Sequence, residues 1–243
     1  MRRFERIYDV AEPRYEVIGK LGFGRSSTSF PTLLRYSMIR KHIALKIKAD
    51  ASKKDKELPV LLRLAALLDH FKHDGPNGTH LCLVLPVMIS DGEEMTVNAK
   101  SHQAAYVQSI SKQILLGLEF LHTLDIVHCE LQSANIMVSA VGAAPCETLL
   151  GPPEFSPVKW LEGTTVDDSA PNYLIATQRP RGQLDDAHIS DLLVKVGDLG
   201  GVIQDQGCNQ RPLIYQNSWN AGIDVWALGC LVCFPKLPAG LNI

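Results

Sequence analysis

His128-Cys129-Glu130-Leu131-Gln132-Ser133-Ala134-Asn135 is the stretch on which the reading of this chain turns. It places a carboxylate at its third position and a side-chain amide five residues later. A carboxylate held next to a hydroxyl can orient it and take its proton. An amide oxygen is a hard ligand suited to a divalent cation. The residues before it carry a clear period: Val107, Ile110, Ile114, Leu118 and Leu121 recur at steps of 3, 4, 4 and 3, which predicts an amphipathic helix. The residues after it, Ile136-Met137-Val138, read as a short strand. Taken alone, the eight residues are equally a turn with a polar cap.

Three further elements lie on either side. Lys195-Val196-Gly197-Asp198-Leu199-Gly200 follows an apolar strand at Leu193–Val196, with Asp198 able to bind a metal and Gly200 letting the chain turn. Upstream, Gly22-Phe23-Gly24-Arg25-Ser26-Ser27 lies between two strands: Gly22-Phe23-Gly24 is predicted as a turn that joins a strand at Tyr15–Leu21 to a second at Ser26–Phe30. Small residues there let backbone N–H groups approach a phosphate. Lys46 sits on a third strand, His42–Ile47, where burial of an unpaired ammonium is costly and calls for a partner. A helix over Asp55–Leu68 is expected only if Pro59 lies in its first turn. Two apolar runs, Leu67–Phe71 and Leu81–Leu85, flank Asp74-Gly75-Pro76-Asn77-Gly78 and predict a hairpin. The first 88 residues therefore read as mainly β with one helix. The second half reads as helical, with an apolar helix at Ile223–Cys233. Between the strands that flank it, Ser139–Ser190 is rich in Pro, Gly and acidic residues and lacks periodicity, so it reads as a partly disordered insertion with room for one short helix.

Composition narrows the classes. The chain has 243 residues, 46% hydrophobic and 21% charged, which excludes wholesale disorder, a collagen repeat and a coiled coil. A net charge of −2 argues against a nucleic-acid-binding protein, which needs a basic face. No apolar run approaches the ~18 residues of a membrane span, and the polar start Met1-Arg2-Arg3-Phe4-Glu5-Arg6 lacks the apolar core of a signal peptide. The expectation is a chain without nucleic-acid or membrane partners. Its six cysteines, scattered through a chain large enough to have a core, are expected to be reduced, in a cytoplasmic or nuclear compartment.

These elements, in this order, resemble the eukaryotic protein kinases. The closest likeness is to the SR-protein-kinase-like branch, especially its fungal members. His128–Asn135 is similar to that branch's catalytic loop, Gly22–Thr28 to its glycine loop with the third glycine replaced, and the Leu67–Val84 hairpin to the hairpin that follows its N-lobe helix. Asp224-Val225-Trp226-Ala227-Leu228-Gly229 is similar to the start of the family's central C-lobe helix, whose Asp hydrogen-bonds the backbone of the catalytic loop. The 63 positions from Asn135 to Asp198 fit a branch whose kinase core is split by an insert.

The resemblance implies an α+β, bilobal fold: a β-rich N-lobe over residues 13–88 and a mainly helical C-lobe over 89–243, carrying an insertion at about 139–190 and truncated at its C-terminus. It implies a Ser/Thr protein kinase that binds ATP and Mg²⁺. Gly22, Gly24 and Ser27 would cradle phosphate, Ala44, Pro86 and Met88 would line the adenine, and Lys46, paired with Glu57, would hold the α- and β-phosphates. Asn135 and Asp198 would bind Mg²⁺, and Glu130 would orient the substrate hydroxyl. An Arg/Ser-rich protein is the implied substrate.

The departures support an alternative. The catalytic carboxylate is Glu130 where the family has Asp; the extra methylene moves it by about 1.5 Å, and misplacement by about 1 Å can cost on the order of a hundredfold. Gln132 replaces a basic or His residue. Only 25 residues, 199–223, separate Asp198 from Asp224, without an Ala-Pro-Glu motif. The chain ends soon after the Ile223–Cys233 helix, so the later C-lobe helices are expected to be missing and the apolar helix to need a stabilising partner or a chaperone. The alternative is thus a catalytically impaired pseudokinase, or a fragment, that acts by association. A small-molecule phosphotransferase is a more distant third. Cys230 and Cys233 are expected in the core rather than on a metal, and Trp160 and Tyr173 in packing roles.

Overall fold

The computed structural model describes residues 15–17, 19–23, 27–34, 41–48, 55–75, 78–93, 104–140, 152–163, 165, 172–178, 188–204 and 220–233. The chain divides into two compact units. The first comprises Met1–Val87 with Ala144–Pro180, the second Met88–Ala143 with Arg181–Ile243.

The first unit is built on an antiparallel sheet. Its strands are β1 (Tyr15–Val17), β2 (Gly22–Phe23), β3 (Ser27–Leu34), β4 (Lys41–Lys48), β5 (Asp69–Gly75) and β6 (Gly78–Pro86). The order is β1-β3-β4-β6-β5, with β2 also paired to β3. Alternation along β4 sends Ile43, Leu45 and Ile47 into a core shared with Tyr15, Val17, Cys82 and Val84. The sheet curls strongly, because β1 and β5 are its opposite edges and yet meet through side chains. The Tyr15 ring stacks on Phe71 at 5.4 Å, and its hydroxyl donates to Asp69 Oδ2 at 2.6 Å. Burial among these apolar groups pushes the Cys82 thiol up to about 12.

Two local expectations change here. Gly22-Phe23, read as a turn, is an extended pair laddered onto β3, Gly22 opposite Ser29 and Phe23 opposite Thr28. The helix expected over Asp55–Leu68 is α1, only Glu57–Arg63. Pro59 does fall in its first turn, where its missing N–H has no helical partner to lose. Asp55 Oδ1 accepts from Leu58 N at 2.7 Å and satisfies another of the first-turn donors. The helix stops early because Ala65 takes φ +50°. Ala65 N then bonds Leu62 O and Ala66 N bonds Leu61 O, closing a Schellman end with Ala in the place glycine usually fills.

The 139–190 stretch, an insertion in the second lobe by sequence order, contributes a hairpin to the first unit: β10 (Phe155–Pro157) paired with β11 (Tyr173–Ile175). Its described residues hold no α-helix; a single 3₁₀ turn, Ile189–Asp191, begins at its end, and the rest of their order comes from strand pairing. Phe155 and Tyr173 meet edge-to-face at 5.2 Å. Lys20 anchors the hairpin: its carbonyl accepts from Gln178 N at 2.7 Å and its Nζ donates to Ile175 O at 3.3 Å.

The second unit is organised by two helices, α2 (Ala104–Thr123) and α3 (Gly222–Cys233). The predicted stripe of α2 faces inward, with Ile114, Leu118 and Leu121 buried. Around it lie β7 (Ser90–Asp91), β8 (Ile126–Val127), β9 (Ile136–Ala140), β12 (Leu192–Val196) and β13 (Ile203–Gln204). They form a β12-β9-β7 sheet and a β13-β8 pair. The Gln113 side chain on α2 fixes the edge of β12, donating to Leu192 O at 3.0 Å and accepting from Val194 N at 2.9 Å. On α3, Leu228 and Asp224 are buried while Val225 and Trp226 remain exposed. Among the described residues, no helix is long and apolar enough to cross a membrane.

Candidate functional site

In the first unit, Lys46 projects from β4 and meets Glu57 at the start of α1. Its Nζ lies 2.8 Å from Glu57 Oε1 and 2.9 Å from Oε2. Both groups are buried. A second cation shares the carboxylate: Lys48 Nζ pairs with Glu57 Oε2 and lies 3.5 Å from Asp55 Oδ2. Lys48 did not emerge from the sequence, although a signal was there, since residues two apart on a strand share a face. Glu57 is thereby held from two sides, and the four groups sum to zero charge.

The other first-unit candidates lie along the same sheet. Gly22 is half-buried, and among the described residues a Cβ built on it would meet no atom within 4 Å, which leaves open space beside it there. Ser27 stands opposite Lys48 in the β3–β4 register, and half-buried Ala44 stands opposite Leu85 in the β4–β6 register. Pro86 ends β6 at an exposed position. Gly24 lies outside the described residues. Met88 belongs to the second unit and is half-buried.

In the second unit, the catalytic-loop candidate is fixed by a buried carboxylate. Asp224, 1% exposed, accepts from His128 N (2.8 Å) and Cys129 N (2.9 Å), and also contacts His122 Nε2 (2.8 Å). This is the backbone role expected of it. Cys129 takes φ +67°, a left-handed conformation that a non-glycine residue keeps only when its surroundings enforce it. The two amides on Asp224 supply that enforcement.

His128 is fully buried and joins the two candidate loops. Its Nδ1 accepts from Glu130 N (3.3 Å), so its Nε2 carries the proton and donates to Gly197 O (2.9 Å). The ring is therefore a hydrogen-bonded strut between the two loops. Gly197 N in turn donates to Asn135 O at 2.8 Å, extending the β9–β12 ladder past its last pair, Ile136–Val196. That closure brings Asn135 and Asp198 to the same end of the ladder. Asp198 also takes a left-handed conformation, φ +55° and ψ +68°.

The oxygen donors suit a magnesium ion. Asn135 Nδ2 donates to Glu130 O at 2.8 Å, which turns Oδ1 away from that bond as a free-standing acceptor. Together with the exposed carboxylate of Asp198, it makes a hard two-ligand set, as Mg²⁺ prefers when phosphate and water complete its shell. No cluster of three or more His, Cys, Asp or Glu occurs among the described residues. Cys230 is a half-buried free thiol on α3. Glu130 projects its side chain to the surface, against Gly201.

The chain is similar to known proteins. The protein kinase domain family matches residues 15–144. Serine/threonine-protein kinase SRPK of Physarum polycephalum is 27% identical over 93% of this chain and 61% of its own length. Serine/threonine-protein kinase SKY1 of Saccharomyces cerevisiae is 31% identical over 52% of this chain and 20% of its own length. SRSF protein kinase 3 of Homo sapiens is 30% identical over 55% of this chain and 27% of its own length. The chain thus spans about three-fifths or less of the length of these relatives.

Proposed function

We propose a phosphotransfer function from one premise: this chain belongs to the protein kinase family. Its relatives include serine/threonine kinases of the SR-protein type, and its α+β fold is that of the family. The reading is that it binds ATP with Mg²⁺ and transfers the γ-phosphoryl group to a Ser or Thr hydroxyl of a protein rich in Arg and Ser.

The observation that carries the reading is the buried Lys46–Glu57 pair. A buried lysine on an inner strand, with its ammonium held by both oxygens of one carboxylate, is oriented for a fixed anionic ligand. Lys46 would hold the α- and β-phosphates, and the open space over Gly22 would let backbone groups approach them. Asn135 and Asp198 would hold Mg²⁺, which when bound supplies neutralisation of charge on the phosphoryl oxygens. Glu130 would align the substrate hydroxyl. The hydroxyl oxygen bonds to the γ-phosphorus, the bond from that phosphorus to the ADP oxygen breaks, and the hydroxyl proton passes to the Glu130 carboxylate.

A second reading, association without catalysis, is favoured by the outer face of α3, where Trp226 is 75% exposed and Val225 53%. One experiment separates the two. Thermal unfolding is followed with ATP, with and without Mg²⁺, beside the double variant Lys46→Ala, Asp198→Ala. The kinase reading expects a Mg²⁺-dependent rise in melting temperature that the variant loses. A cooperative transition that ignores nucleotide would leave the association reading.

A further inference from the structure

We propose that Gly201 is the positioning residue for the Glu130 carboxylate, its missing side chain making room for the methylene by which glutamate exceeds aspartate. This rests on the reading of Glu130 as proton acceptor given above.

The geometry is specific. A Cβ built on Gly201 would lie 2.5 Å from Glu130 Cδ, 2.6 Å from Oε2 and 2.8 Å from Cγ. Ordinary contact begins at 3.4 Å, so the carboxylate carbon would have to retreat by 0.9 Å (3.4 − 2.5). Neither backbone can yield instead. Glu130 N is bonded to His128, and its carbonyl to Asn135. Gly201 ends the 3₁₀ turn Leu199–Gly201 that opens directly at Asp198. What can move is the exposed Glu130 side chain.

Conformation does not explain the glycine. Gly201 is outside the left-handed region, which among the described glycines only Gly78 and Gly163 occupy. Alanine is therefore compatible with its backbone, and its cost falls on Glu130. A displacement near 1 Å at a reacting group is worth about a hundredfold in rate, while a swung surface side chain hardly changes stability. Glycine at 201 and glutamate at 130 thus form a matched pair: the longer acid reaches forward over a position with no side chain to obstruct it.

The test is a double-mutant cycle on the full chain. Phosphotransfer from ATP to a synthetic Arg-Ser repeat peptide is measured for wild type, Gly201→Ala, Glu130→Asp and the double variant, with unfolding curves for each. Gly201→Ala is expected to lower kcat by about a hundredfold, with KM for ATP and the unfolding midpoint unchanged. Gly201→Ser is expected to do the same. In the Glu130→Asp background the Cγ position is kept as the carboxylate carbon at 2.8 Å, but its oxygens can turn about one bond away from residue 201, so the same alanine should cost less than about threefold. Equal losses in both backgrounds, or a loss that tracks a fall in unfolding midpoint, would overturn the positioning role. A wild type that transfers nothing, yet is stabilised by Mg²⁺ and ATP, would overturn it while leaving nucleotide binding intact. A wild type indifferent to nucleotide would overturn both.

Discussion

Glu57 in the first unit and Asp224 in the second are buried to 2% and 1% exposure, and they are satisfied in opposite ways. Glu57 is neutralised by two ammonium groups, Lys46 and Lys48, on flexible stems. Asp224 is held by two backbone amides and the His122 ring, groups fixed by the fold itself. A carboxylate held by two lysine ammonium groups can release one of them to an incoming phosphate and keep the other. A carboxylate held by backbone amides has nothing to release. The first arrangement suits a place where ligands come and go, the second a scaffold that fixes a loop.

The sharpest way to break that contrast is Asp224→Ala. It strands two buried N–H donors and releases the left-handed Cys129, so a loss of about 3 kcal/mol or more in unfolding free energy is expected from urea denaturation. Glu57→Gln should cost less, about 2 kcal/mol. Its amide can still accept from one lysine, and the other can turn toward solvent. A larger loss for Glu57→Gln than for Asp224→Ala would invert the contrast.

The two lysines divide the first unit's share of it. Lys46→Met should abolish the Mg²⁺-dependent thermal shift with ATP, whereas Lys48→Met should lower the melting temperature of the free protein and keep the shift. If both variants lose it, Lys48 also faces the phosphates.

Cys82 tests how dry the sheet interior is. Its folded pKa lies above its ordinary value of 9.0, at about 12. The folded state therefore retains the thiol proton, and the resulting stability is fully present below pH 9 and is lost as pH rises from 9 toward 12. Wild type should lose up to about 1.4 kcal/mol per pH unit more than Cys82→Ala across that window, read from urea midpoints. The smallest effect belongs to Ala65→Gly. Relief of the left-handed alanine is worth about 1 to 2 kcal/mol against an entropy cost of about 0.5 to 1, so a net gain of about 0.5 kcal/mol is expected at the end of the helix that carries Glu57.

The sequence revealed those parts whose order spans many residues. α2 announced itself because five apolar residues repeat along one face, and β4 because its inward positions alternate. The candidate loop His128–Asn135 stood out because its residue types and spacing resemble a known pattern. Lys48 stayed hidden because an outward-facing and an inward-facing lysine look alike until the strand's partners are known. The β10–β11 hairpin stayed hidden for a different reason: its strands are three residues each, with Pro157 in one, and their order depends on Lys20, far away in the chain. Gly22-Phe23 looked like a turn because its composition says nothing of the Thr28-Ser29 edge to which it pairs. Gly201 gave no local signal, since its importance lies in what Glu130 does above it.

Lys20 and its two contacts at Ile175 and Gln178 have a consequence in time. The partners are separated by 155 residues and more. At a synthesis rate of about 5–20 residues per second, the ribosome needs roughly 8 to 30 s after Lys20 to deliver Ile175. The sheet that carries Lys46 must therefore wait, with one flank unsealed, while much of the second unit is translated. Protection of that flank during synthesis falls to whatever holds the nascent chain.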